Sequence, residues 1–347
     1  MSALTRVSSS TQAENPLRFT FAISSYDHVR EVVEGRIPVE GAEPLFVRLP
    51  IPEMFRRFVR TRDWDVSEMS FGQYGMLRAN GDDSIVGIPV FPSRLYRQTS
   101  IFVRGDRIRE PRDLVGARIG IPAWTNSAGV WARGLLEDMH GIRCGDITWY
   151  QGGVDQAGRR VAVEPPFLPD DVKIVDITDR SLEDMLWTGD IEGMIVPAPP
   201  SSIESSAASG GLIRLLYNDP WAAEREYRER TGCVPTMHVV AINRPLYELD
   251  PDLPRRLFEA LDLSRRRYLE RLADPVASRV AIPWADEHVE SLGDLFGGGE
   301  LWQYGVEPNR RTLETYLRYL RTQGMIQGSP DPADLFPEWL AATGAAS

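Results

Sequence analysis

The sequence has few cysteines and histidines, and it has no long apolar run. Its two cysteines, Cys144 and Cys233, lie far apart and in no metal-ligand or redox spacing, which indicates neither a zinc motif nor a disulfide-dense scaffold. Two thiols fit a reducing compartment as well as they fit one disulfide. No apolar stretch approaches the ~18 residues that a membrane span requires. We therefore predict a protein that does not cross a membrane.

The N-terminus also lacks the features of a secretory signal. Residues 1–16 are polar and rich in serine, and they contain no apolar core segment. We expect this segment to be a flexible tail and the protein to be cytoplasmic.

Positive charge is in deficit. The chain has 39 Lys and Arg residues against 50 Asp and Glu residues, for a formal net charge of -11. A nucleic-acid surface needs a basic stripe, which the sequence lacks, so we predict no nucleic-acid partner. An acidic chain can still bind an anion if it concentrates positive groups locally, through an arginine or a helix N-terminus.

Motifs for phosphate and zinc are missing too. Gly297–Gly299 is not followed by the Lys-Ser/Thr of a phosphate loop. His288 and Glu290 lack the i, i+4 histidine spacing of a zinc helix. These patterns predict no cofactor and no metal site, although a metal held by residues from separate loops stays open.

The chain is long enough to form two compact lobes. Its 347 residues exceed the range over which one hydrophobic core keeps growing, and its composition is that of a globular protein. Strand patterns alternate with helical patterns, which indicates parallel βαβ units and an α/β fold. The predicted strands cover residues 17–23, 45–49, a short stretch that ends at Ser67, 85–91, 101–104, 118–121, 173–177, 191–196 and 236–242.

Helices are predicted between these strands. Pro52 opens one amphipathic helix. Ser67 is predicted to cap the next, which would place Glu68 in its first turn and end near Leu77. Further helices are predicted after residues 124–127, at 181–187, at 257–268 and at 313–320.

Several strings of residues resemble those of known families. Residues 110–116 read Glu-Pro-Arg-Asp-Leu-Val-Gly before a strand and a Thr/Ser-rich helix start, which resembles the second-lobe entry of type II periplasmic binding proteins. Five strings, in their order along residues 17–326, are closer to 4,5-dihydroxyphthalate decarboxylases, cytoplasmic enzymes of phthalate breakdown that resemble that fold. The strings are Asp65-Val-Ser-Glu-Met-Ser, Ile88-Pro-Val-Phe-Pro-Ser-Arg94, Trp131-Ala-Arg-Gly-Leu135, Pro235-Thr-Met-His238 and Tyr304-Gly-Val-Glu-Pro-Asn309-Arg310.

This resemblance implies a fold and a domain organisation. The fold would be a two-lobed α/β structure like the type II periplasmic binding proteins, with mixed β-sheets flanked by helices and a ligand cleft between the lobes. Lobe 1 would consist of residues 17–100 plus 238–347, and lobe 2 of residues 101–237. The two crossings between the lobes would act as a hinge that closes on the ligand.

The resemblance also implies an activity, which leaves rivals open. The activity would be cofactor-independent decarboxylation of a hydroxylated aromatic acid, most like 4,5-dihydroxyphthalate to 3,4-dihydroxybenzoate. The alternative is a non-catalytic solute-binding protein for a small aromatic or anionic ligand, and a third reading is another reaction on the same fold. The expected partner is a small aromatic carboxylate. A homo-oligomer is possible, and no sequence feature decides it.

Such a reaction needs a general acid near the ring carbon and an anchor for a carboxylate. His238 is our general-acid candidate, because it lies in a predicted strand at a lobe crossing and its imidazole suits proton transfer near neutral pH. A structural, hydrogen-bonded histidine is the equal alternative. Arg94, after a predicted strand, is the candidate anchor, since its guanidinium can bind a carboxylate with two hydrogen bonds. A salt bridge is its alternative role, and Arg97 is the weaker alternative anchor.

The reaction also needs an acceptor for a phenolic proton. Glu68 and Asp27 are the candidates, with helix-dipole stabilisation and turn formation as their respective alternatives. Thr125, Asn126 and Ser127 could bind an anion at a helix start, or could simply cap that helix.

Aromatic side chains could stack on the substrate ring. Trp131, Tyr304 and Phe91 are the candidates, although large aromatic residues more often fill a core. Tyr26, next to Asp27, and Ser93, next to Arg94, complete the predicted substrate-binding set.

Overall fold

Two β-sheets frame the molecule in the computed structural model, which describes residues 15–158, 163–200, 211–274, 276, 285–295 and 302–338. The first sheet has the strand order β2-β1-β3-β11-β4 and the second has the order β10-β5-β9-β6-β7-β8. The strands are β1 (Leu17–Ala22), β2 (Ala42–Val47), β3 (Val66–Ser70), β4 (Ile85–Ile88), β5 (Ile101–Arg104), β6 (Arg118–Ile121), β7 (Thr148–Gln151), β8 (Lys173–Asp176), β9 (Gly193–Ile195), β10 (Ile213–Leu215) and β11 (His238–Asn243).

The first sheet brings four strand ends to one edge. Strand β1 is parallel to β2 and β3, whereas β11 is antiparallel to both β3 and β4. The carboxyl ends of β1, β3 and β4 therefore meet the amino end of β11. Ligands in α/β proteins bind at such an edge.

The second sheet is mixed as well. Strands β6, β7, β8 and β9 run parallel, while β5 is antiparallel to both β9 and β10. Residues 101–215 supply all of its strands, and residues 17–88 and 238–243 supply those of the first sheet. The predicted mixed sheets are confirmed, and we call the two halves lobe 1 and lobe 2.

Helices cover both sheets. Among the described residues they are α1 (Arg30–Val33), α2 (Ile51–Thr61), α3 (Phe71–Ala79), α4 (Ser127–His140), α5 (Leu182–Thr188), α6 (Pro220–Thr231), α7 (Arg244–Leu249), α8 (Leu253–Leu272), α9 (Ala285–Leu295) and α10 (Arg310–Thr322). None of the helices in this described part of the chain is long and apolar enough to cross a membrane.

The predicted start of α3 is wrong by one turn. Strand β3 runs on to Ser70, and all five of its residues are buried. The side chain of Ser70, not Ser67, accepts the hydrogen bond from the backbone N–H of Gln73 and so caps the helix. Glu68 therefore lies inside a buried strand, and the dipole-stabilising role considered for it does not apply.

Strand β4 is shorter than predicted and is not paired in parallel. It ends at Ile88, before Pro89, because proline cannot donate a hydrogen bond to a strand ladder. Its partner is the antiparallel strand β11, which comes from far along the sequence. The strands β7 and β10 were not predicted.

A shared apolar core joins the lobes. Tyr316 of α10 stacks on Phe71 of α3 with ring centroids 5.1 Å apart, and on Trp131 of α4 with centroids 4.9 Å apart. Helix α10 thus ties a helix of lobe 1 to a helix of lobe 2. Most of the predicted tail, the segment Gly297–Gly299 and the His288 side chain lie outside the described residues.

Candidate active site

A buried carboxylate organises the ligand edge of lobe 1. Glu68 is 0% exposed. Its Oε1 accepts hydrogen bonds from the Tyr26 hydroxyl and from His238 Nδ1, each at 2.6 Å, and its Oε2 accepts one from the backbone N–H of Ser24 at 2.9 Å. We call Tyr26, Glu68 and His238 the Glu68 cluster.

Strand register explains how these residues meet. His238 lies opposite Ser70, and Val240 lies opposite Glu68, in the antiparallel pair of β11 and β3. Side chains at directly opposed and at alternate positions share one face of a sheet, so Glu68 and His238 face the same side. Tyr26 reaches them from the loop after β1.

The imidazole of His238 is held at one nitrogen. Its Nδ1 bonds Glu68 and lies 3.4 Å from the Tyr26 hydroxyl, whereas Nε2 has no hydrogen-bond partner among the described residues. The side chain is 14% exposed, and Phe55 packs edge-on against it with centroids 4.8 Å apart. Because a carboxylate only accepts, this network assigns the proton to Nδ1 in the neutral ring.

A cavity of about 370 Å³ adjoins the Glu68 cluster at Tyr26, and we call it the aromatic pocket. It has the size and largely apolar surface of a small-molecule site. Its walls include Tyr26, His28, Pro92, Ser93, Arg94, Leu95, Arg265, Tyr268, Leu269, Leu272, Leu292 and Trp302.

Arg94 is buried in this pocket without a carboxylate partner among the described residues. Its Nη2 donates to the Gln303 carbonyl, its Nε is buried with no partner, and its guanidinium lies 5.7 Å from the centroids of both Phe91 and Trp302. Burial lowers the pKa of Arg94 to about 10, which leaves it charged at neutral pH. A buried charge of this kind calls for an anionic partner.

Two tyrosines, Tyr26 and Tyr304, lie near Arg94 and Glu68. Burial and the neighbouring Glu68 carboxylate raise the pKa of Tyr26, which also hydrogen-bonds Ser93. Burial raises the pKa of Tyr304, whose hydroxyl has no hydrogen-bond partner in the described structure. Both phenols therefore stay protonated at neutral pH and can act as hydrogen-bond donors.

A second cavity, of about 480 Å³, lies between the lobes, and we call it the interlobe cleft. The N-termini of α3 and α4 open into it through their capping residues Ser70 and Asn126, and helix N-termini favour anions. Phe55, which packs on His238, lines the same cleft. The Glu68 cluster therefore lies between the aromatic pocket and the interlobe cleft.

The three polar residues predicted at the start of α4 have different surroundings. Asn126 caps the helix and lines the cleft. The Thr125 hydroxyl donates to the Val163 carbonyl inside lobe 2. The Ser127 hydroxyl bonds the Ser70 hydroxyl at 2.7 Å, and so connects the two lobes.

Two other candidates lie away from the Glu68 cluster. Trp131 is 1% exposed in the shared core, and its indole N–H donates to the Thr236 carbonyl at 2.8 Å. Asp27 is exposed and forms an ion pair with Arg30. The structure does not bring either side chain to the pocket.

Sequence reasoning missed His28 and Trp302. Both line the aromatic pocket, and their rings lie 5.7 Å apart. His28 is two residues from Tyr26, which was a usable signal. Trp302 comes from the far end of the chain, and nothing local in the sequence distinguishes it.

Comparisons with known proteins agree with this architecture. No family model matches the chain. It is 33% identical over 322 residues to a 4,5-dihydroxyphthalate decarboxylase of Comamonas testosteroni, covering 92% of this chain and 96% of that protein. It is 34% identical over 215 residues to a 4,5-dihydroxyphthalate decarboxylase of Pseudomonas putida, covering 61% of this chain and 82% of that protein.

Solved structures share the fold at low sequence identity. The periplasmic aliphatic sulphonate binding protein SsuA of Escherichia coli aligns with a TM-score of 0.52 at 12% identity, over 94% of this chain and 99% of that one. A periplasmic sulfonate-binding protein from Methylobacillus flagellatus aligns with a TM-score of 0.53 at 13% identity, over 95% and 94%. The chain has the predicted two-lobed fold of type II periplasmic binding proteins.

Proposed function

The chain belongs to the 4,5-dihydroxyphthalate decarboxylase family, and we propose that it removes one carboxyl group of 4,5-dihydroxyphthalate as carbon dioxide and releases 3,4-dihydroxybenzoate. It is accordingly a lyase. The observation that carries the proposal is the Glu68 cluster beside an aromatic pocket that holds an uncompensated guanidinium.

The chemistry needs one proton at one ring carbon. Each carboxyl group of the substrate is para to a hydroxyl, which donates electron density to the carbon that bears the carboxylate. When that carbon takes a proton, the bond to the carboxylate breaks, its electron pair restores the aromatic ring, and carbon dioxide leaves. The two carboxyl groups are equivalent by symmetry, so either loss gives the same product.

Arg94 would hold a substrate carboxylate in this scheme. Its buried Nε is free to donate, and the described residues give it no competing carboxylate. The faces of Tyr26, Tyr268 and Trp302 offer walls for the ring. A carboxylate here also neutralises a charge that is otherwise buried without compensation.

His238 would supply the proton through the Tyr26 hydroxyl. Of the three cluster residues, Tyr26 lines the pocket, and it lies 3.4 Å from His238 Nδ1. As Tyr26 gives its proton to the ring carbon, it takes the Nδ1 proton of His238, and His238 is reprotonated from solvent, so that one solvent proton is consumed for each carbon dioxide released. Glu68 would position both groups.

The predicted roles of Asn126 and the α4 N-terminus, the cytoplasmic location and the oligomeric state stay predictions.

The direct test is carbon dioxide release from 4,5-dihydroxyphthalate by the purified protein, with and without a chelator. In heavy water the 3,4-dihydroxybenzoate should carry one deuterium at the vacated carbon. His238→Ala should lower kcat by roughly 10²–10⁴, the usual contribution of a general acid. The matched control is His140→Ala, because His140 bonds Tyr217 at the end of α4, outside the pocket.

Two results would contradict the proposal. If the protein binds 4,5-dihydroxyphthalate but releases no carbon dioxide, it is a solute-binding protein, the alternative that the fold also supports. If His238→Ala turns over like the wild type, the proton comes from another group.

A further inference from the structure

His28 lines the aromatic pocket and has a nitrogen that no described residue uses. Its ring lies 5.2 Å from that of Tyr26 and 6.2 Å from that of Tyr268, measured between centroids. It forms a hydrogen bond with the backbone of Pro92, while its Nε2 is buried with no hydrogen-bond partner among the described residues. The nitrogen that bonds Pro92 is therefore Nδ1.

The Pro92 contact fixes the proton on that ring. Proline has no backbone N–H, so its carbonyl accepts and His28 Nδ1 donates. In the neutral imidazole, Nε2 is then a lone-pair acceptor. Burial lowers the pKa of His28 to about 4, and Arg265 works in the same direction against the opposing charges of Glu68 and Asp27. His28 is thus neutral near pH 7.

The other unused polar atoms of this pocket complement His28. Arg94 Nε and Trp302 Nε1 are buried donors without partners in the described structure. A ligand that satisfies all three needs an anionic acceptor and a hydroxyl donor carried on one small apolar body. Leaving such groups unpaired costs free energy, which a ligand of this chemistry would recover.

We propose that His28 recognises a ring hydroxyl of the substrate, with Nε2 accepting the hydroxyl hydrogen bond while Arg94 and Trp302 donate to a carboxylate. This inference rests on the proposed function and adds the group that selects hydroxylated over unhydroxylated phthalates. The hydrogen bond also draws the hydroxyl proton towards His28, which increases the electron density that the oxygen donates to the ring. A neutral imidazole of such low basicity shares the phenolic proton and does not remove it, so His28 acts mainly on binding.

The test compares the dissociation constants of 4,5-dihydroxyphthalate and phthalate, measured by calorimetry with every protein carrying His238→Ala so that the substrate is not consumed during the titration. His28→Asn keeps an amide near the Nδ1 position to bond Pro92 but lacks the distal acceptor. His28→Gln keeps an acceptor near the Nε2 position. His140→Asn is the matched control, since His140 lies outside the pocket.

With His28 intact in the His238→Ala background, 4,5-dihydroxyphthalate should bind roughly tenfold more tightly than phthalate, which leaves Nε2 unpaired. His28→Asn should bring the ratio of the two constants close to one, chiefly by weakening 4,5-dihydroxyphthalate binding. His28→Gln should keep most of the ratio, and His140→Asn should keep all of it.

An unchanged ratio in His28→Asn overturns the inference, whatever the absolute affinities. Melting temperatures of the variants identify any that fail to fold, and in that event the inference stands or falls on whether His28→Gln keeps the ratio. If the wild type releases carbon dioxide but His28→Asn does not change the ratio of the two dissociation constants, the inference about His28 fails and the proposed function stands. If the wild type releases none, the proposed function fails.

Discussion

At the scale of single residues, the candidate active site combines a fully hydrogen-bonded carboxylate with buried polar atoms that lack partners among the described residues. Glu68 has both oxygens engaged, whereas Arg94 Nε, His28 Nε2 and Trp302 Nε1 have no partners among the described residues. The hydrogen bonds of Glu68 fix the positions of Tyr26 and His238. We expect the unpaired atoms to form hydrogen bonds with a ligand. A folded protein accepts such unpaired groups where function requires them.

Replacing Arg94 should weaken substrate binding without lowering the stability of the protein. We expect Arg94→Met to leave the free energy of unfolding unchanged or to raise it by ~1–4 kcal/mol, because it removes a buried charge without a counter-ion. The Gln303 carbonyl keeps its second donor, Asn309 Nδ2, at 3.0 Å. Loss of the charge-assisted hydrogen bond to a carboxylate, worth about 1.5–3 kcal/mol, should weaken substrate binding roughly tenfold to hundredfold.

Denaturant titration measures the change in stability, and calorimetric titration with 4,5-dihydroxyphthalate in the His238→Ala background measures the change in binding. Arg97→Met is the matched comparison, because Arg97 is also buried and contacts Met237 Sδ and the Pro197 carbonyl. Burial lowers the pKa of Arg97 to about 10 as well. If Arg97→Met and not Arg94→Met abolishes binding, the anchor is Arg97.

At the scale of secondary-structure elements, the residues that begin helices α3 and α4 also link the two lobes. Ser70 caps α3 and Ser127 is the first residue of α4, and their hydroxyls bond each other across the boundary. Ser127 also accepts the hydrogen bond of the Gly72 N–H at 3.0 Å. Polar groups at the start of two helices thus link the lobes.

Ser127→Ala should therefore destabilise the protein although it removes one oxygen atom. It leaves the buried Gly72 N–H and the Ser70 hydroxyl without that partner, at an expected cost of ~1–3 kcal/mol. Thermal unfolding of Ser127→Ala beside Thr61→Ala measures this, since the exposed Thr61 hydroxyl bonds the Arg57 carbonyl within α2. Equal melting temperatures for the two variants would contradict the proposal that the Ser127 hydroxyl stabilises the contact between the lobes.

Elements with local signals were predictable, and elements set by distant pairing were not. Strand β6 has the predicted bounds 118–121, and α4 starts at the predicted cap, because turn and capping residues act over a few positions. The start of α3 was misplaced because Ser67 and Ser70 carry the same local signal. Burial of β3 between β1 and β11 decides between them, and no local pattern contains it.

The residues of the candidate site also fall into a group that the sequence predicted and a group that it did not. Tyr26, Glu68, Ser93, Arg94, His238 and Tyr304 were predicted from strand ends and family strings, and the structure gathers them at one edge of lobe 1. His28 and Trp302 belong to the same pocket, but their place depends on α8 and on a segment near residue 302 packing over the loop after β1. Such contacts between distant segments are not readable from residue types alone.

At the scale of the whole molecule, the shared core decides how the lobes unfold. A chain of 347 residues with two sheets is expected to unfold as two units. Here α10 packs Tyr316 between Phe71 of lobe 1 and Trp131 of lobe 2, and one apolar cluster includes residues of both. Neither lobe can unfold without exposing part of the other.

We therefore expect one calorimetric transition, with equal calorimetric and van't Hoff enthalpies. In the His238→Ala variant, which turns over slowly, substrate at 100 times its dissociation constant should add about 2.7 kcal/mol to the stability of the whole molecule, because it binds only the folded state. The transition should stay single as it shifts upward, and in Arg94→Met the shift should largely disappear. Two resolved transitions, of which substrate moves one, would show instead that the lobes unfold independently and that the shared core is weaker than its packing indicates.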